Sequence, residues 1–219
     1  MTDPTVTLEP SGFAEAVELL TRDDADLASV VANHGIPEMW GRPPGFPSLV
    51  LFILEQQVSL ASGKAVFERL RRGLGEMTPE AVLAGGPAKI RDAGVTRQKT
   101  TYLLELSEAL LAGRFDLAAL THVDDSTARS RLLELNGVGP WTADVYLLSC
   151  LRRPDMWPVG DRALQVGVGE LLGLANPPDS VQLEAIGERW RPLRAVAARL
   201  IWHNYLRERG REEPEVAGL

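Results

Sequence analysis

Two stretches of this sequence hold residue types whose spacing could do chemistry. The first is Asn136-Gly137-Val138-Gly139-Pro140, set between an apolar helical pattern that ends at Leu135 or Asn136 and a second one that opens at Pro140. Glycine permits backbone geometry that side chains block, and proline is pre-set for the first turn of a helix. A tight hairpin followed by a helix start aims successive N–H groups outward, and such a cradle can hold an anion without any basic side chain. Taken alone, Gly-x-Gly between helices is simply a turn. The second stretch is the Gly/Pro-rich loop 154–160 and the aspartate that follows it, Asp161, directly ahead of the helical pattern 162–172. Aspartate is a preferred N-cap, and position alone supports that role. The same helix N-terminus favours an ionised carboxylate, so capping and charge chemistry are compatible at this residue.

Other reactive residue types are sparse. Cys150 is the only cysteine, which excludes an intrachain disulfide, a zinc site of clustered thiolates and a four-cysteine iron–sulfur cluster. It lies in an apolar run, where a buried inert thiol is expected. His34, His122 and His203 have no metal-ligand spacing to one another or to a carboxylate cluster.

Helices must position these groups. Apolar residues recur at spacings of three and four, as in Phe13, Val17 and Leu20, in Val66, Leu70 and Leu74, and in Leu103, Leu106 and Leu110. Alternating stretches are scarce, so the fold reads as all-α with nine or ten helices. Gly and Pro collect at 41–47, 84–87, 136–140, 154–160 and 173–178, which are the expected breaks. With 219 residues, 45% of them hydrophobic, the chain can bury a sizeable core in one large domain or two lobes. No apolar run is long enough for a membrane span, and the start lacks the features of a signal peptide, so a cytoplasmic protein is expected. The net charge of −7 argues against a general nucleic-acid binder, but acid collects near the ends and base in clusters such as Lys64, Arg69, Arg71 and Arg72. A locally basic face is therefore compatible with the overall sign.

The string 132–151, LLELNGVGPWTADVYLLSCL, resembles the helix-hairpin-helix motif of the base-excision DNA glycosylase superfamily (HhH-GPD). Its pattern Leu-x-Gly-Val/Ile-Gly-x-x-Thr-Ala is met by Leu135, Gly137, Val138, Gly139, Thr142 and Ala143. In that family a Gly/Pro-rich loop and an aspartate follow, here 154–160 and Asp161. Three further segments resemble the 3-methyladenine DNA glycosylase II branch: 53–59 (ILEQQVS), 94–103 (GVTRQKTTYL) and 190–198 (WRPLRAVAA). The likeness runs from about Phe46 to Leu206.

The resemblance implies a two-lobed helical fold with a DNA-binding cleft between the lobes. Residues 46–155 would form a helical barrel that includes the hairpin motif at about 130–151. Residues 1–45 would pair with 156–210 in a second lobe, and 211–219 would be a flexible tail. The branch's N-terminal β-rich domain is not expected, because the residues before Phe46 read as helical. The implied activity is removal of alkylated purines such as 3-methyladenine and 7-methylguanine from double-stranded DNA, by a monomeric enzyme that associates with the nucleoid when bound to DNA.

Asp161 is implied as the catalytic carboxylate, since breaking an N-glycosidic bond builds positive charge on the sugar. The resemblance assigns Asn136, Gly137, Val138, Gly139 and Thr142 to the phosphate-binding hairpin, and it allows a structural Na⁺ or K⁺ on the backbone of Asn136, Gly137, Val138 and Gly139. No other cofactor is implied. Gln57, with Gln56, matches the residue that plugs the duplex once a base has flipped. Trp202, Trp141, Tyr146, Trp40 and Phe46 are the candidates for the base pocket. Where the branch has a pocket tyrosine this chain has Val145, with Tyr146 beside it on another helix face. Lyase-active members carry a lysine where this chain has Trp141, so no amine is available there for a Schiff base. Two other readings stay open on the sequence: a bifunctional glycosylase/lyase, and a DNA-binding module that uses the hairpin without catalysis.

Overall fold

The computed structural model describes residues 7–39 and 41–211, and Trp40 and the segment 212–219 lie outside the described residues. Among the described residues there are eleven α-helices and no strand. They are α1 (Pro10–Asp23), α2 (Ala25–His34), α3 (Phe46–Glu55), α4 (Leu60–Leu74), α5 (Pro79–Asp92), α6 (Arg97–Leu111), α7 (Asp125–Leu133), α8 (Pro140–Ser149), α9 (Arg162–Leu171), α10 (Ser180–Gly187) and α11 (Arg194–Arg207). Short 3₁₀ turns occupy Ala118–His122 and Glu188–Trp190. No described helix is long and apolar enough to cross a membrane.

Local chemistry explains most of the boundaries. Side chains of Asp24, Ser59, Thr78, Thr96, Asp124 and Asp161 each accept from a backbone N–H three residues on, and Asp179 closes a full capping box with Gln182. The Gly/Pro cluster at 84–87 does break a helix: Gly86 takes φ 67°, ψ 176° inside α5 and Pro87 restarts it across a kink. The α1–α2 junction carries no Gly or Pro. It turns on Asp24, whose extended backbone ends α1 while its carboxylate accepts from Leu27 N–H to begin α2, and this junction is one source of the extra helices.

The chain folds as two compact units, one running from Arg42 to Tyr146 and the other made of the described residues up to Gly41 and from Leu147 onward. In the first, α3 is apolar on every side and buried from Leu49 to Glu55, as a helix at the centre of a core must be. Phe67 and Leu70 of α4, Val82 and Ile90 of α5, Leu103 and Leu106 of α6 and Leu132 of α7 complete this core. Gly63 lets α4 approach α3 closely, since a Cβ there would stand 2.7 Å from Glu55 Cγ and 2.9 Å from its Cα.

In the second unit α11 is the central helix, with Arg194–Ile201 and His203 all buried. Phe13, Val17 and Leu20 of α1, Leu27 and Val30 of α2, Leu164 and Val168 of α9, and Trp157 and Trp190 pack in the same core. At Gly167 a Cβ would come within 2.7 Å of Ile201, which is how α9 lies tight against α11. The junction between the units falls inside α8, between Tyr146 and Leu147, rather than near residue 155. Tyr146 is fully buried and its hydroxyl accepts from Gly45 N–H at 2.9 Å, while Leu148 belongs to the core built around α11.

Candidate functional site

Asp161 is the N-cap of α9, and its Oδ1 accepts from Leu164 N–H at 2.8 Å. The same oxygen accepts from the indole Nε1–H of Trp202, at 3.0 Å, from the middle of α11. Two N–H donors on one carboxylate oxygen hold the group in one orientation. The loop beneath it is anchored along its length. Asp161 N–H donates to Pro158 O at 2.9 Å, Gln165 Nε2 and Ser180 Oγ donate to Val159 O at 3.0 and 3.2 Å, and Trp157 Nε1 donates to Leu183 O at 2.9 Å. Gly187 makes room for the Trp157 ring, which a Cβ would approach to 2.4 Å. Asp161 and Trp202 both remain partly exposed, so this is a fixed carboxylate that a ligand can still reach.

The hairpin belongs to the Arg42–Tyr146 unit. Gly137 has φ 85°, where a side chain is strained, and a Cβ there would lie 2.4–2.7 Å from three atoms of Tyr102. Glycine at 137 is thus demanded by the chain itself. Gly139 differs: beyond its two chain neighbours no atom lies within 4 Å of where its Cβ would be, and its φ is outside the left-handed region. Beyond it Pro140 opens α8, and Ala143 N–H donates to Gly139 O at 3.0 Å as the helix begins. Val138 and Thr142 are buried, whereas Asn136 is exposed, its amide donating to Glu105 Oε2 at 2.6 Å. Among the described residues no group of three His, Cys, Asp or Glu could hold a metal ion.

The two glutamines after α3 part company. Gln56 turns inward: its Nε2 donates to Gly137 O and to Thr142 Oγ1, both at 2.8 Å. In the protein without DNA the side chain thus braces the hairpin from below, where the sequence expectation had it beside Gln57 in the duplex. Gln57 is exposed and takes φ 59°, one of two described non-glycine residues with positive φ. Val58 and Leu60 beside it are 49% and 43% exposed, apolar surface around a polar tip.

The residues expected in a base pocket also divide. Trp202 stands against Asp161. Trp141 is partly exposed and meets Phe52 edge to face, with ring centroids 6.5 Å apart. Tyr146 and Phe46 are core residues: Tyr146 is fully buried with its hydroxyl on Gly45, and Phe46 is buried at the start of α3. Both are thus packed inside the Arg42–Tyr146 unit, where the sequence expectation had them lining a base pocket. Trp40 lies outside the described residues.

Three residues with structural leverage were given no role from the sequence, although Lys99 and Tyr102 lie within the 94–103 segment that resembles the family. Lys99 donates from Nζ to Leu54 O and Gln56 O, at 2.9 and 2.8 Å, and burial pushes its pKa down. Tyr102 fills the space beneath Gly137, and Glu105 holds Asn136. All three lie on α6 at intervals of three residues, the spacing that places side chains on one side of a helix. Charge is unevenly divided: the 42–146 unit carries twelve basic and twelve acidic side chains, so the whole net charge of −7 falls on the remainder of the chain.

Residues 50–192 match the model of the HhH-GPD superfamily of base excision DNA repair proteins. The chain is 26% identical over 160 residues to a putative DNA-3-methyladenine glycosylase of Bacillus subtilis, covering 69% of this chain and 56% of that protein. It is 23% identical over 174 residues to a second Bacillus subtilis protein, a DNA-3-methyladenine glycosylase, covering 74% and 57%. The chain thus spans little more than half the length of these curated relatives. The crystal structure of a DNA-3-methyladenine glycosidase from Bacillus halodurans superposes with a TM-score of 0.74 at 29% identity, over 87% of this chain and 88% of that one. The family match extends over more than half of the sequence, from within α3 to the turn before α11, and takes in the hairpin and Asp161. The chain belongs to the HhH-GPD superfamily of base excision DNA repair proteins.

Proposed function

We propose that this chain is a monofunctional DNA glycosylase that extrudes an alkylated purine from double-stranded DNA and cuts its N-glycosidic bond. The observation that carries the reading is Asp161: a partly exposed carboxylate oriented by both a helix N-terminus and the Trp202 indole. As the bond to the purine breaks, its electron pair leaves with the base and positive charge spreads over C1′ and the ring oxygen. A fixed carboxylate lowers that barrier electrostatically without having to reorganise. Water adds to C1′ and gives up its proton, leaving an abasic sugar and an intact backbone. Purines alkylated at N3 or N7 are already cationic and depart neutral, so they need no general acid, and 3-methyladenine and 7-methylguanine are the substrates this arrangement suits.

In this reading the duplex is held by backbone N–H groups at the hairpin, in the open space beside Gly139, and Gln57 enters the stack in place of the flipped base. Trp202 both orients Asp161 and lends a planar wall to the base site. A monovalent cation at the hairpin would rest on the backbone carbonyls of Asn136 and Val138 and share that of Gly139, adding positive charge where a phosphate approaches; no catalytic step passes through it. The protein acts as a monomer. Release of methylated bases from alkylated DNA tests the activity. Borohydride trapping tests the absence of lyase chemistry, because with Trp141 at the amine position no covalent adduct forms, and an adduct would overturn that part of the reading.

A further inference from the structure

The turn that joins α3 to α4 is strained and poorly held by its own backbone. Gln56 lies at φ −59°, ψ 129° and Gln57 at φ 59°, the pattern of a type II turn, whose third position ordinarily requires glycine or asparagine. The bond that should close it, Val58 N–H to Glu55 O, is 3.5 Å long, at the limit of hydrogen bonding. A left-handed glutamine persists only where its surroundings over-determine it. Those surroundings are visible. Lys99 Nζ grips two carbonyls at the end of α3, those of Leu54 and Gln56, where the helix dipole favours a cation. The Gln56 side chain fastens to Gly137 O and Thr142 Oγ1 of the hairpin. On the far side Ser59 caps α4. Between these anchors Gln57 and Val58 are exposed.

We propose that Lys99 and Gln56 are positioning residues that hold the 55–58 turn in the shape that presents Gln57, and that they couple this turn mechanically to the hairpin. A phosphate seated at the hairpin and a base extruded at the turn are then read through one rigid linkage, Gly137–Gln56–Lys99. Lysine is used here on backbone carbonyls, not on phosphate, and its partial burial fits that use.

The proposal rests on Gln57 as the residue that fills the gap, and the test separates the two ideas. In the free protein, amide hydrogen exchange over 55–59 rises by about tenfold or more in Lys99→Met and in Gln56→Met, the loss of a charge-assisted or buried hydrogen bond, and returns close to wild type in Lys99→Arg. Unchanged protection in both Met variants overturns the hold itself without any DNA present. Should Lys99→Met fail to fold, Gln56→Met supplies the same readout. On a duplex with 2-aminopurine beside a tetrahydrofuran site, Lys99→Met weakens the fluorescence change on binding by about tenfold in affinity, while in a Gln57→Ala background it produces no further loss. Equal losses in both backgrounds overturn the route through Gln57. A wild-type protein that gives no fluorescence change sinks Gln57 as the gap filler, while base release from methylated DNA judges the glycosylase reading separately.

Discussion

The two glycines of the hairpin should respond to alanine in opposite ways, because only one of them is required by the chain. Gly137→Ala forces a side chain onto φ 85° and drives its Cβ to 2.4–2.7 Å from Tyr102 Cγ, Cδ2 and Cβ. The left-handed backbone costs about 1–2 kcal/mol, and moving the wedged ring about 1–3 kcal/mol more. For a chain of this length each kcal/mol shifts Tm by about 2–4 °C, so calorimetry or thermal circular dichroism should show a fall on the order of 10 °C. Gly139→Ala meets no atom within 4 Å beyond its chain neighbours, and its stability should stay within about 0.5 kcal/mol of wild type. Its affinity for duplex DNA should nevertheless fall about tenfold, because the new methyl stands where a phosphate must approach the backbone. Tyr102→Ala provides a control: combined with Gly137→Ala it should recover the steric part of the loss but not the backbone part. Equal destabilisation by the two alanines would refute the division of labour, as would a Gly139→Ala protein that binds DNA at full strength.

Three further outcomes follow from the packing. Trp202→Phe keeps an aromatic wall but removes the N–H that Asp161 accepts; a bond to a charged group contributes about 1.5–3 kcal/mol, so single-turnover base release should slow by roughly 10- to 100-fold with little change in DNA affinity. Unaltered release would mean that Trp202 does not orient the carboxylate. Arg194 is buried and bonds to both Asp155 oxygens, to Asp155 O and to Glu184, so Arg194→Met should cost about 3–5 kcal/mol in urea unfolding; a loss under 1 kcal/mol would show that solvent replaces the pair freely. Glu55 is buried against Arg42, and desolvation raises its pKa above the ordinary 4.5. Between 4.5 and that raised value the folded state binds the extra proton, so Glu55's contribution to stability is fully present below 4.5 and is lost as pH rises through the folded pKa. Compared with wild type, Glu55→Gln should lose less stability across that interval in denaturant titrations, and parallel curves would contradict the assignment.

Much of this architecture was legible because local chemistry and global fold agree. Helix periodicity, the Ser, Thr and Asp caps and the Gly/Pro breaks are short-range signals, and the kink at Gly86-Pro87 stands where composition placed it. The hairpin was legible as a Gly-x-Gly-Pro string for the same reason. What could not be read depends on direction and distance. Gln56 and Gln57 have identical side chains, and only the sign of φ sends one to the hairpin and the other to solvent. Tyr146 reads as an aromatic near the site until its helical phase buries it beneath Gly45. Lys99 acts on carbonyls more than forty residues away in sequence, so the 94–103 segment could mark the lysine by resemblance but not its backbone partners. The junction between the two units lies inside α8, where a continuous helix leaves no compositional trace.

Asp161→Asn separates the charge of the carboxylate from its capping role. Asparagine retains an oxygen that can accept from Leu164 N–H and Trp202 Nε1–H, so the cap and the fold survive while the charge is lost. Measured side by side, release of 3-methyladenine and 7-methylguanine from methylated DNA should fall by at least about a thousandfold, as expected when a main electrostatic stabiliser is removed, with Tm and duplex affinity near wild type. Release at an undiminished rate by a folded, DNA-binding Asp161→Asn protein would show that the Asp161 charge does not drive bond cleavage.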